Sequence, residues 1–182
     1  NLSQVKTGIN YVMIISTNSG LWRYKIGDTV KFTSTFPFRI KISGRTKNFI
    51  NAFGEELIIE NAETALEKTL SINKLNIVEY TAAPYFMKGK SSGFHQWLIE
   101  FKTPPKDLNK FKKELDINLQ NTNTDYKAKR FKNITMSEIE IIVARKNQFY
   151  DWLKEKKKLG GQNKIPRLCN DRKLIEELLT YS

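Results

Sequence analysis

Gly44-Arg45-Thr46-Lys47-Asn48-Phe49-Ile50-Asn51-Ala52-Phe53-Gly54-Glu55-Glu56 is the stretch at which the chain changes character. On its amino-terminal side apolar and polar residues alternate, the period of a strand with one face covered. On its carboxy-terminal side Ile59, Ala62, Leu66 and Leu70 recur at spacings of three and four, the period of an amphipathic helix. A glycine near each end suits a hinge between two structural units. On spacing alone an ordinary polar loop reads equally well.

Working outward toward the start, residues 11–16 read as a buried strand and Asn18-Ser19-Gly20 as a turn. Residues 21–26 alternate up to a Gly27-Asp28 turn, residues 29–33 alternate again, and 38–42 follow a break at Pro37. The expectation is a four-stranded meander with no helix of its own. Toward the end, a helix is expected over 58–70 and strands over 75–80 and 96–101. A second helix follows Pro104-Pro105, with Leu108, Phe111, Leu115 and Leu119 on one face. Residues 137–144 read as a strand, and a helix carrying Phe149, Trp152 and Leu153 comes next. After a loop over 158–169, a last helix starts at an Asn170 or Asp171 cap and presents Leu174, Leu178 and Leu179. The fold class is α+β: an all-β segment, then a small mixed domain of about three strands and three to four helices.

The 182 residues carry 31 Lys+Arg against 19 Asp+Glu, a net charge of +12, so the partner of that charge has to be asked for. Phosphate neutralisation in nucleic acid is the simplest answer. The distribution argues against it as the default, because residues 1–45 hold seven basic side chains and one acidic, half the net charge in a quarter of the chain. The cluster Lys154-Glu155-Lys156-Lys157-Lys158 closes a helix, where cations complement the helix dipole and face solvent. The longest apolar run, residues 11–15, is far too short to span a bilayer, so no membrane partner is expected. A single cysteine, Cys169, and a single histidine, His95, exclude a disulfide framework within the chain and a structural zinc site. The chain starts at Asn1 without a secretion signal, so a cytoplasmic location is expected, and the chain is either processed or a piece of something longer.

Some apparent motifs dissolve on inspection. Gly89-Lys90-Ser91 imitates the end of a phosphate-binding loop, but Pro84 stands where the first glycine belongs and a strand follows, so a hairpin loop is expected. His95 reads as a half-buried sheet residue without an obvious carboxylate partner. Cys169, at a loop-to-helix junction without a local base, reads as a packed thiol. Three segments hold more. Gly27 before Asp28 lets a strand end sharply and leaves a carboxylate projecting, an acceptor for two neighbouring hydroxyls; a plain turn aspartate is the alternative. The Gly44 to Glu56 stretch is the second. In the third, Leu159-Gly160-Gly161-Gln162-Asn163-Lys164-Ile165-Pro166-Arg167, a lysine rides on a glycine-led loop closed by proline and can meet charge on a phosphate.

In this order the three segments resemble the carboxy-terminal part of adenylate-forming enzymes. They are most similar to the auxin-responsive acyl-acid amido synthetase family (Gretchen Hagen three), including its bacterial members. The family's Gly-Leu-Tyr-Arg-Tyr-Arg-x-Gly-Asp is matched by Gly20 to Asp28, with Trp22 and Lys25 as departures. Lys25 keeps the charge of the arginine but not its planar fork. The superfamily's Gly-Arg-x-(Lys/Asp)-x-x-Ile-x-x-x-Gly is matched by Gly44 to Gly54. The amido synthetase Gln-x-Lys-x-Pro-Arg is matched by Gln162 to Arg167.

The resemblance implies an AMP-forming ligase: a carboxylic acid attacks ATP with Mg2+, and an amino acid's amine displaces AMP from the acyl-adenylate. Asp28 and Arg45 would meet the ribose, Tyr24 would line the adenosine site, and Lys164 would be the catalytic cation. Lys47 would be the hinge residue. No metal ligands are expected in this chain, Mg2+ being held mainly by the family's large amino-terminal domain. On this reading residues 1–44 are closing strands of that domain, 45–51 the hinge and 52–182 a mobile lid, and the fragment alone is inactive. A basic nucleic-acid-binding module, with Trp22 and Tyr24 as stacking platforms, is the first alternative. An acyl-CoA synthetase lid is the second.

Overall fold

The computed structural model describes residues 2–45, 48–87, 92–160 and 163–181, with only the backbone of Gly44 and Arg45. The expected loop over Gly89-Lys90-Ser91 therefore lies outside the described residues. The chain divides into two compact units, Asn1–Asn48 and Phe49–Ser182.

The first unit is an antiparallel sheet of β1 (Asn10–Ile15), β2 (Tyr24–Thr35) and β3 (Phe38–Arg45), in that order. It has three strands where the alternation suggests four. Gly27-Asp28 is not a turn: β2 runs straight through it. Val12 pairs with Thr29 and Ile14 with Lys25, so Ile26, Gly27 and Asp28 stand against the single Met13. Gly27 has φ +95°, a left-handed conformation that glycine adopts without strain, and the extra residues are absorbed as a bulge. Strand β1 is not buried as expected either. Val12 and Ile14 are exposed on one of its faces. Burial concentrates on Val30 and Phe32, the latter edge-on to Tyr11 and Phe38 at 5.7 and 6.0 Å.

The second unit begins with a two-residue ladder, β4 (Phe49–Ile50) against β5 (Leu57–Ile58), that the sequence pattern does not announce. Helix α1 (Ile59–Asn73) ends on Lys74 in the left-handed conformation, its N–H bonded back to the last turn. The main sheet has the order β6 (Ile77–Phe86), β7 (Gly93–Phe101), β8 (Glu140–Val143), antiparallel then parallel. Helix α2 (Leu108–Thr122) is capped by Asp107, whose side chain accepts the Lys110 N–H at 2.9 Å. Helix α3 (Thr124–Arg130), capped by Asn123, is an addition to the expected elements. Then come α4 (Gln148–Glu155) and α5 (Lys173–Thr180).

Strand β7 is buried along almost its whole length, its polar His95, Gln96 and Glu100 included, because both faces of this sheet are covered. Trp97 and Ile99 join α1, α2 and α3 through Ala62, Leu66, Phe111, Leu115 and Tyr126. Leu98, between them, points to the other core, with Ala83 from β6, Phe149 and Trp152 from α4 and Ile175 and Leu178 from α5. At the start of β7 only glycine fits: a Cβ on Gly93 would stand 2.1 Å from the Tyr85 carbonyl oxygen. No helix among the described residues is long and apolar enough to cross a membrane.

Candidate functional site

The candidate residues divide between the units. Tyr24 and Asp28 lie on β2, and Arg45 closes β3; Lys164 belongs to the second unit. Lys47 lies outside the described residues, as does Gln162. In the first unit the β2–β3 register sets Asp28 directly opposite Arg45, so two residues far apart in sequence become cross-strand neighbours. Tyr24 faces Ile15 across the β1–β2 ladder and is half exposed. The Asp28–Arg45 pairing lies just beyond a register shift in the β2–β3 ladder, where Thr29 pairs with Gly44 and Val30 with Ile42, so that Ser43 is the extra residue.

Lys164 is exposed, and the residues after it are fixed. Ile165 is buried in the core shared by α4 and α5. The Pro166 carbonyl accepts the Thr81 hydroxyl at 2.8 Å, the Arg167 carbonyl accepts the Ala82 N–H at 2.9 Å, and Cys169 N–H donates to the Ala82 carbonyl at 2.9 Å. Residues 166–169 thus lie along β6 as an added edge, with Leu168 fully buried. The Arg167 guanidinium bonds Glu63 on α1 and, at 3.3 Å, Glu79 on β6, and sits over the Tyr80 ring. Burial works against that guanidinium, and the two carboxylates outweigh it and raise its pKa. On the other side Gly160, with φ +117° and open space where a Cβ would be, starts the loop. Arg167, Glu63 and Glu79 hold the lysine's segment, and sequence spacing could reveal only the arginine, through its place beside Pro166.

Two buried polar groups went unseen in the sequence. His95 is not half-buried and lacks no partner: it is fully enclosed, its Nε2 2.7 Å from the Glu55 carboxylate. Glu55 also accepts the N–H groups of Ala52 at 3.3 Å and Phe53 at 2.7 Å. Burial raises the pKa of Glu55, and the His95 bond, its charge and the N–H donors together bring it below the usual carboxylate range. The pair braces the turn 51–56 against β7. The second group joins α2 to α3: Asp116 accepts Tyr126 Oη at 2.9 Å and two guanidinium nitrogens of Arg130. Burial and the Asp116 charge push the Tyr126 hydroxyl pKa well up, so it donates at any ordinary pH. Cys169 is half-buried, and burial raises its thiol, against a nucleophilic role. Among the described residues no cluster of His, Cys, Asp and Glu could hold a metal ion.

A family model described as the GH3 family C-terminal domain matches residues 60–173, and one described as the GH3 family central domain matches residues 1–45. Among solved structures the chain is similar to a GH3.15 acyl acid amido synthetase, at 19% identity and a TM-score of 0.76 over 99% of this chain. It is also similar to one described as AtGH3.15 acyl acid amido synthetase in complex with 2,4-DB, at 18% identity and a TM-score of 0.73 over 100% of this chain. At such identities the likeness is one of fold. In both cases the chain spans 34% of the other's length. No curated protein matches in sequence.

Proposed function

The chain belongs to the GH3 family, and on that premise we propose that it is the carboxy-terminal part of an ATP-dependent acyl-acid amido synthetase. The parent would activate a carboxylic acid as its acyl-adenylate, releasing pyrophosphate, and pass the acyl group to an amino acid amine. Both solved relatives carry the acyl acid amido synthetase description, which supports this reaction class. The observation that carries the reading is Lys164: a solvent-facing ammonium on a segment whose next residues are bonded to β6 and whose preceding loop starts at a glycine.

Charge builds on phosphoryl oxygens as the acid attacks, and a cation brought to them stabilises that state. Lys164 suits this part because it is exposed while the residues after it are bonded to β6. Asp28 would accept hydrogen bonds from the ribose hydroxyls, with Arg45 opposite it on β3 and Tyr24 along the same strand beside the adenosine. Lys47 would be the position whose backbone torsions change between the two half-reactions. ATP enters as substrate. Mg2+ would come with the nucleotide and be held by residues outside this chain. The reading places the parent in the cytoplasm.

The test uses the longer parent protein. Lys164→Ala should lower acid-dependent ATP–pyrophosphate exchange by about 10²–10³-fold, the usual loss for a preorganised transition-state donor. Exchange at the unaltered rate would remove Lys164 from the reaction.

A further inference from the structure

The residues of the cluster Lys154-Glu155-Lys156-Lys157-Lys158 are exposed, as expected, and Lys156 and Lys158 also line a pocket. Between the end of α4, residues 163–166 and the first turns of α5 lies a pocket of about 420 Å³. Its apolar wall is Trp152, Leu153, Pro166 and Leu174. Its polar lining is Lys156, Lys158, Lys164, Lys173 and Asn163, with one carboxylate, Glu177. Glu177 is already engaged by Lys156 at 3.0 Å. Lys158 lies over the Trp152 ring at 5.7 Å, and no carboxylate among the described residues pairs with Lys164 or Lys173. The Lys156 bond, with a contribution from Lys158, draws the Glu177 carboxyl below its usual range, as a positive surface would.

Four lysines and one carboxylate line the pocket, so its lining carries a net positive charge that the chain itself does not balance there. The lysine stems can lie along the apolar wall while their heads meet at the mouth. A ligand that completes this arrangement carries several negative charges in a small volume and offers oxygens to point-like cations. A monocarboxylate is too weakly charged, and no arginine fork is present to select it. We propose that this pocket is a binding site for a diphosphate group, with Lys156, Lys158, Lys164 and Lys173 as its cationic lining. It rests on the amido synthetase reading only for the source of the ligand, the released pyrophosphate or the polyphosphate tail of ATP.

The test is isothermal titration of the 182-residue chain with sodium pyrophosphate, inorganic phosphate and ATP at one fixed low ionic strength. Pyrophosphate should bind saturably with one site per chain, and phosphate more weakly. The double variant Lys158→Gln/Lys173→Gln should weaken pyrophosphate binding by about tenfold or more, equivalent to about 1.4 kcal/mol. The control Lys102→Gln/Lys106→Gln removes the same charge from exposed positions outside the pocket and should leave the affinity within about twofold. Equal weakening by both double variants, no saturable binding, or binding of ATP without pyrophosphate would each overturn the site. If ATP binds with the same dependence on Lys158 and Lys173, the pocket accepts the nucleotide's tail; if only pyrophosphate binds, it takes the released product. Loss of exchange on Lys164→Ala in the parent is a separate measurement, so the catalytic reading can fail while pyrophosphate binding stands.

Discussion

The two units are built on sheets of the same strand number with opposite treatment of their faces. In Phe49–Ser182 the central strand β7 has helices on both sides, and Trp97, Leu98 and Ile99 are all essentially inaccessible. Among the described residues of Asn1–Asn48 the sheet has no helical layer: Ile14 is 59% exposed and Ile42 70%, and of the large apolar side chains described only Val30 and Phe32 are buried. A three-stranded sheet with so little burial has little to set against the entropy of ordering its backbone. Apolar exposure of that extent marks a surface made to be covered. The second unit buries large apolar side chains on both faces of its sheet; the first leaves most of its own exposed.

The strongest way to break that contrast is to make equivalent aromatic truncations in each unit. Trp97→Ala, which removes a ring stacked on Tyr80 at 5.4 Å, should cost about 3–5 kcal/mol, because the cavity is closed on all sides. Phe32→Ala should cost about 1.5–3 kcal/mol, the transfer contribution alone, because the sheet around it is open to water. Amide hydrogen exchange reads both. Without any substitution, β1–β3 should exchange well before β6 and β7. Equal protection in the two sheets would mean that burial does not set their relative stability.

Next in size is the buried Glu55–His95 contact, which has no counterpart among the described residues of the first unit. Glu55→Gln keeps the shape but loses the charge that faces His95 and two N–H donors, and should cost about 1–3 kcal/mol. The folded-state pKa of Glu55 lies below the unfolded value near 4.5, so its stabilisation is complete above that value. It is lost as pH falls from there through the lowered folded pKa. Acid unfolding followed by circular dichroism should therefore flatten in this window for Glu55→Gln, with the β6–β7 amides reporting the change. An unchanged acid limb would assign the pH response to other carboxylates.

Strong periodicity was what made the fold readable. Helices α1 and α2 follow from apolar spacings of three and four, and the α+β class from their order. The first sheet was misread at Gly27, since a glycine before an aspartate marks a turn and a bulge alike; only the pairing of Val12 and Ile14 with β2 tells them apart. Helix α3 is seven residues long, with one buried side chain, Tyr126, too short for a period to show. Glu55 and His95 are forty residues apart, so no local pattern links them. Of the candidate site, the motifs located Asp28, Arg45 and Lys164, and the strand register then put the first two opposite each other. The clamp that fixes the lysine segment comes from α1 and β6, which local spacing cannot connect to it.

The smallest expected effect concerns that clamp, and it separates stability from placement. Arg167 is partly exposed, so its pairs with Glu63 and Glu79 should contribute no more than about 1 kcal/mol to overall stability. Their consequence is local. Without the guanidinium, residues 166–169 are held along β6 by their main-chain bonds, the Thr81 hydroxyl and the buried Leu168. In Arg167→Gln the Ala82 and Cys169 amides, whose bonds to the Arg167 and Ala82 carbonyls report that docking, should lose protection by about fivefold. The Trp97 and Ile99 amides should be unaffected. Arg167→Lys, a point charge without the fork, should fall between the two. Uniform loss across β6 and β7 would make Arg167 a general stabiliser of the sheet. A loss confined to Ala82 and Cys169 would make it the residue that keeps Lys164 aimed from a fixed base.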